Sequence, residues 1–228
     1  MATEPKATGG TDYATYLLID DLLSLQRPIT EGAHDELLFI VVHQAYELWF
    51  KLMLHELARV DAELRAGRPG GALASLKRVV AIDRLLLSQL DVLETMGPEG
   101  FLEFRDPLAP ASGFQSRQFR EIESASAALW PAFCAGAGLP EDAEARIAAL
   151  AQLYLDHDEP VRALRHQVCE LLVDHDETIQ RWRFHHTLMA AREIGSRPGT
   201  GGSRGVEYLR GTVDKRFYDD LWAVRVAL

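Results

Sequence analysis

Apolar residues recur along this chain at helical spacing, and the densest run is HDELLFIVVHQAYELWF at residues 34–50. Phe39, His43, Tyr46 and Phe50 fall there at i, i+4, i+7 and i+11, on one stripe of a helix. Leu38, Val41, Ala45, Leu48 and Leu52 form a second stripe beside it. A helix that is apolar nearly all round is expected to be buried. An imidazole between aromatic rings then needs a hydrogen-bond partner. A neighbouring core side chain could supply it, and so could a bound ligand; the stripe alone leaves both open.

The same pattern predicts further helices on either side. The central helix is expected over about 31–66, where GRPGG at 67–71 breaks it. Its charged second half, from about residue 56, is expected to emerge into solvent. Upstream, Tyr13, Tyr16, Leu17, Ile19, Leu22, Leu23 and Leu25 mark a helix over 12–26 that Pro28 ends. Downstream, helices are predicted over about 73–96, 115–133, 141–156, 158–173, 177–195 and 213–226. No alternating run is long enough for a strand. The reading is an all-α helical bundle built around one long central helix. Residues 1–11, polar and rich in Gly and Thr, read as a mobile N-terminal arm, and 12–228 as a single domain.

Charge and composition exclude several classes. With 24 basic against 34 acidic residues the net charge is -10, and no long basic patch occurs, so non-specific nucleic-acid binding is not expected. No run approaches the roughly 18 apolar residues of a membrane span. The N-terminus lacks the apolar stretch of a signal peptide. A cytoplasmic location follows as an expectation, with Cys134 and Cys169 as buried thiols.

Three features carry candidate chemistry. Residues 106–114, DPLAPASGF, read as a rigid non-helical loop, with Phe101, Phe104 and Arg105 at its entrance. A guanidinium beside an aromatic wall suits a carboxylate, which it can grip bidentately. It could equally cap a helix or pair with Glu103 or Asp106. Residues 196–205, SRPGTGGSRG, hold four glycines, which let a backbone approach a ligand closely. They match no dinucleotide or Walker fingerprint and are also compatible with a plain linker. Ahead of this loop, Ile179, Trp182, His186 and Met189 share one helical face, while His185 falls with Arg181, Leu188 and Arg192 on a more polar one. A histidine on an apolar, Trp-lined face is either a haem iron ligand or a core residue. His34, His55, His157, His166 and His175 read as surface or hydrogen-bonding residues, with His157-Asp158 and His175-Asp176 in charged helix termini. No Cys-X-X-Cys-His occurs, so covalent haem attachment is not expected.

Four segments, taken in order, resemble the tryptophan 2,3-dioxygenase family: YATYLLIDDLLSLQ, HDELLFIVVHQAYELWFKLMLHEL, FLEFRDPLAPASGFQSRQFREIE and WRFHHTLMAAREIGSRPGTGGSRGVEYLR. They cover about half of the chain. The resemblance implies an all-α homotetramer that binds haem b without a covalent link and uses O2 as co-substrate. It implies His186 as the axial ligand of the haem iron, with Trp182 beside it and Ser112 a polar residue near the haem. It implies His43 as the distal histidine accepting the indole N–H, with Phe39 and Leu108 as walls around the indole. Arg105 would bind the substrate carboxylate, and Thr200 its ammonium and carboxylate. Tyr13, Tyr16 and Leu17 would complete the pocket of a neighbouring subunit. The implied reaction adds O2 across the indole C2=C3 bond of L-tryptophan and gives N-formylkynurenine.

The chain also departs from that pattern. It lacks helices that longer members insert between about residues 130 and 174. Phe101 stands where many bacterial members carry a tyrosine, which removes one hydrogen bond to the carboxylate. Arg204 replaces a common serine in the glycine loop, and Glu193 adds a charge at the base of that loop. Two alternatives remain open on these residues. One is a related haem oxygenase that inserts a single oxygen atom into a modified tryptophan, giving an oxindole. The other is a non-catalytic haem-binding or sensor bundle, which would have no need of both Arg105 and Thr200.

Overall fold

The computed structural model describes residues 12–156 and 158–228. The proposed arm at 1–11 and His157 lie outside the described residues. Among the described residues the regular structure is entirely helical. Helix α1 spans Tyr13–Leu17 and α2 spans Ile19–Leu23. They were expected as one helix; Leu18, at φ 51°, takes the left-handed conformation and separates them.

The central helix α3 spans Glu36–Arg65. It starts later than expected because the buried Glu36 carboxylate turns back to accept Ile29 N and Thr30 N, both at 2.9 Å, and holds 29–30 as a loop. Its second half does not simply emerge into solvent. Leu57, Val60 and Leu64 are buried, and buried Glu56 pairs with Arg78 at 2.6 Å. Only the outer face of that half is solvated. The first half is in turn less buried than its apolarity suggests, since Leu37, Val41 and Leu48 point outward from the chain. An 18-residue window of α3 reaches a mean hydropathy of 1.4, so the expectation that no segment approaches a membrane span is corrected. Here that helix packs along its length against two others.

Helix α4 spans Pro69–Leu93, with Pro69 in its first turn, where a missing N–H is harmless. Helix α5 spans Pro98–Leu108. Asp106, Pro107 and Leu108 therefore belong to a helix rather than to the expected loop, which begins at Ala109. Helix α6 spans Arg117–Ala137, capped by Ser116, and α7 spans Ala143–Leu155, capped by Asp142. Helix α8 runs unbroken over Pro160–Ile194. Two helices had been expected there, with His175-Asp176 as a charged terminus. Both residues are instead fully buried in mid-helix, with partners. The expected helix at 213–226 is reduced to a short helix and a 3-10 turn, and a further short helix precedes it. Helix α9 spans Val206–Arg210 and α10 spans Asp219–Ala223, followed by one short 3-10 turn.

The bundle is formed by α3, α4, α6 and α8. Helix α3 packs on α4 and α6, and α4 packs on α8. The ring closes through polar bonds in the core. His175 Nδ1 lies 2.6 Å from Asp83 Oδ2 of α4, and its Nε2 lies 2.9 Å from Ser126 Oγ of α6. Asp176 accepts Phe217 N at 3.0 Å and Trp222 Nε1 at 2.9 Å, which fastens the C-terminal segment to α8. Most buried polar groups in folded proteins are hydrogen-bonded, and stripping a partner from one is costly. Ser126→Ala strips one partner from a fully buried imidazole, so it should lower the unfolding free energy by about 1–3 kcal/mol. Urea denaturation at pH 7 checks this: an earlier midpoint at unchanged slope is expected, and an unchanged midpoint contradicts it.

Candidate active site

Four elements converge at one end of the bundle: the first turns of α3, helix α5, the second half of α8, and the glycine-rich segment after α8. From α3 come Phe39 and His43, one turn apart. His43 Nδ1 lies 2.8 Å from the Phe39 carbonyl oxygen, and the two rings lie 4.0 Å apart. That bond assigns the ring proton to Nδ1, so Nε2 of the neutral ring is left as an acceptor. Burial holds His43 below the usual imidazole range, which favours that neutral form.

Helix α5 supplies an aromatic wall. Phe101 and Phe104 are buried, meet edge to face at 5.4 Å, and lie 5.9 and 5.4 Å from Phe39. Leu108, the last residue of the helix, packs partly buried against the same core. Arg105 stands one turn after Phe101 with its side chain only 16% exposed. Its Nη2 donates to the Pro198 carbonyl at 2.7 Å, and Asp106 is at a loose 3.5 Å. Its Nε is buried and has no hydrogen-bond partner. A buried charged donor left open is costly unless a ligand completes it.

The glycine-rich segment is seated on this helix end. Thr200 Oγ1 donates to the Ala111 carbonyl at 2.6 Å. A Cβ on Gly201 would lie 2.8 Å from Ser112 Cβ, so only glycine allows that approach. Gly205, at φ +59°, would bring a Cβ within 2.6 Å of the Arg197 carbonyl. Ser112 itself accepts Phe114 N at 3.3 Å. Arg204 does not join the group; it is exposed and pairs loosely with Glu207 at 3.6 Å. Glu193 was expected to add a charge at the base of the loop. It is buried, one of its oxygens lacks a partner, and burial raises its carboxyl towards the neutral form.

From α8 come Trp182 and His186, stacked at 5.0 Å with 11° between the rings. The expected face holds, with Ile179 and Met189 buried on either side. His185 turns outward to Glu94 at 3.2 Å. His186 forms no hydrogen bond among the described residues. Burial, with a smaller effect of nearby His43 and His185, depresses it to about 4. Both imidazoles are thus neutral at pH 7, and a neutral imidazole is the form that ligates a metal. An open nitrogen on a neutral ring, an aromatic floor and a second neutral histidine nearby fit a haem.

Two placements bear on the sequence reading. Tyr13 and Tyr16 are 77% and 75% exposed, and no residue of α1 is buried, so Tyr13, Tyr16 and Leu17 do not reach this group within their own chain. Tyr46, in contrast, is more than a member of the apolar stripe. Its hydroxyl accepts Trp182 Nε1 at 3.1 Å. A buried tyrosine needs a partner for its hydroxyl, and that requirement was the available signal.

The sequence model of the tryptophan 2,3-dioxygenase family matches residues 2–126 and 142–228. The chain belongs to that family. The unmatched stretch, 127–141, covers the end of α6 and its turn into α7. A tryptophan 2,3-dioxygenase of Anaeromyxobacter sp. (strain K) is 42% identical over 265 residues, covering 99% of this chain and 100% of the relative. One of Nocardioides sp. (strain ATCC BAA-499 / JS614) is 41% identical, over 95% of this chain and 94% of the relative. One of Bacillus cereus (strain ATCC 10987 / NRS 248) is 36% identical, over 95% and 92%. Family membership makes the chain a haem-dependent dioxygenase, an oxidoreductase.

The depressed His186 gives a pH prediction for the haem-free protein. The unfolded chain takes up a proton near pH 6.5, and the folded chain does so only near pH 4. The unfolded state therefore binds more protons in that window, and stability falls as pH drops through it. His186→Leu removes this loss. Its stability relative to the parent should rise by on the order of 2–3 kcal/mol between pH 6.5 and 4. Denaturation series across that range check it; a constant difference contradicts the depressed imidazole.

Proposed function

We propose that this chain is a cytoplasmic tryptophan 2,3-dioxygenase, in which residues 12–228 form one all-α haem dioxygenase domain and haem b is held by His186. The observation that carries the reading is Arg105, mostly buried with an unpartnered Nε, on the helix whose Phe101 and Phe104 meet Phe39 and, through it, the neutral His43, with the neutral His186 nearby. That set suits an amino acid with an aromatic side chain. The bound haem would supply ferrous iron for O2 activation. Every other role falls to side chains of the chain.

Arg105 grips the substrate carboxylate through its free donors, and Thr200 adds contacts to the carboxylate and ammonium. Phe39 and Leu108 enclose the indole. His43 accepts the indole N–H at Nε2, the atom left free by its bond to Phe39. Because that bond needs only an acceptor, His43 positions the ring rather than removing a proton in full. Together these contacts aim C2=C3 at the activated O2. Trp182 packs on His186, and Ser112 lines the haem side of the pocket. The segment 199–205, anchored at Thr200 and, through the adjacent Pro198, at Arg105, shields the reaction from water. The product is N-formylkynurenine.

The exposed α1 supports a homotetramer in which Tyr13, Tyr16 and Leu17 complete a neighbour's pocket. The outward apolar stripe of Leu37, Val41 and Leu48 gives such an assembly a surface to bury. Cys134 and Cys169 are both free, and burial raises both thiols, which fits a reducing compartment.

Mass spectrometry of the product tests the reaction. The ferrous, haem-loaded protein with L-tryptophan and O2 should yield a product carrying two added oxygen atoms. A single added oxygen, or no turnover, contradicts the reading. Phe101 offers a sharper test of the carboxylate site. Phe101→Tyr adds a hydroxyl one turn from Arg105 and should lower KM for L-tryptophan by about 3- to 10-fold, the net worth of one ordinary hydrogen bond. Steady-state kinetics check this; an unchanged or higher KM places the carboxylate elsewhere.

A further inference from the structure

A histidine that ligates a metal almost always donates its other ring N–H to a carboxylate, a carbonyl or water, and that bond fixes the plane of the ring. No carboxylate or carbonyl among the described residues takes that place at His186. What meets its ring is the face of Trp182, stacked at 5.0 Å and 11°. The plane of His186 is therefore set by whatever sets the plane of Trp182.

Three contacts do so. Phe119 lies tilted against Trp182 at 5.3 Å and is backed by Phe50 at 5.8 Å. The Tyr46 ring meets Trp182 edge on at 6.2 Å. These apolar contacts hold the indole in place but leave it able to tilt about its Cβ–Cγ bond. An indole has a single donor, Nε1–H, and its direction removes that freedom. In this chain Nε1 donates to the Tyr46 hydroxyl at 3.1 Å, and the hydroxyl donates in turn to the Leu86 carbonyl of α4. The relay runs from the α4 backbone through Tyr46 of α3 to the face of His186 on α8. Tyr46 is also three residues from His43, so one helix carries both the acceptor proposed for the indole and the anchor of the opposite histidine.

We propose that Tyr46 is a positioning residue for His186, fixing the plane of the imidazole through Trp182. This rests on His186 being the haem ligand.

Tyr46→Phe keeps the ring and its packing and removes only the hydroxyl. Two readouts apply, neither of them turnover: the iron–histidine stretching band of the ferrous protein by resonance Raman, and the rate of haem loss to an excess of a haem-scavenging protein. The band should shift, and haem should leave about 10-fold faster, the low end of the effect of losing an outer partner of a ligand. Trp182→Phe, which removes the donor, should do the same. The double variant should be no worse than Trp182→Phe alone, because both substitutions break one relay. A parent-like band and off-rate in Tyr46→Phe overturn the proposal, as do effects that add in the double variant. In the unaltered chain the Trp182 indole N–H should exchange slowly with solvent; fast exchange overturns the relay even if Tyr46→Phe does not fold. A parent protein that binds no haem, or a His186→Ala variant that keeps the band, overturns the haem-ligand reading itself, an outcome distinct from an unmoved band in Tyr46→Phe.

Discussion

The His175 imidazole joins three helices in the middle of the bundle, and the rest of the architecture depends on that joint. One ring nitrogen meets Asp83 of α4 and the other meets Ser126 of α6, with all three side chains out of contact with water. Removing either partner would leave a buried polar group unsatisfied, which is more damaging than losing the bond itself. Asp176, the next residue, holds the C-terminal segment through Phe217 and Trp222. With both faces satisfied, α8 has no reason to break at this point and continues for 35 residues. The first half of that helix is locked in the core. The second half then presents Trp182 and His186 at a fixed distance and rotation from the joint.

The proposed site inherits its order from this arrangement. Arg183, one turn before His186, is buried and tied to Glu123 of α6 at 2.7 Å and to the Lys215 carbonyl at 2.9 Å. Across the space, α3 brings Phe39, His43 and Tyr46 in succession. The segment after α8 folds back onto the end of α5, where Pro198 meets Arg105 and Thr200 meets Ala111. Rigid helices thus carry the two histidines, while the end of the site proposed for the amino-acid group is built where a glycine-rich turn meets a helix terminus. Specificity built in this way can change by loop substitution without disturbing the histidines.

Much of this was legible in the sequence, and the failures have physical causes. The stripe Phe39–His43–Tyr46–Phe50 and the face Ile179–Trp182–His186–Met189 follow from helical period alone. The continuity of α8 did not, because Asp174, His175 and Asp176 look like a solvated terminus until their partners, on distant helices, are known. The left-handed Leu18 was hidden for a similar reason, since nothing in its side chain demands that conformation. The expected loop at 106–114 shrank because a proline is tolerated in the last turn of α5. The contacts that assemble the candidate site link residues about 90 positions apart, Arg105 to Pro198 and Thr200 to Ala111, and periodicity carries no such information. Tyr46 and Arg105 show the common rule: a buried polar atom announces that a partner exists, and only the fold says which.

The central claim is that His43 and His186 face one haem pocket from opposite sides, with an indole amino acid between His43 and the haem. A crystal structure of the haem-loaded ferrous protein with L-tryptophan, grown without O2, tests it most directly. The expected result has His186 on the iron, the indole N–H donating to His43 Nε2, and the carboxylate on Arg105. Haem held by any other residue, or tryptophan bound away from His43 and Arg105, would contradict it.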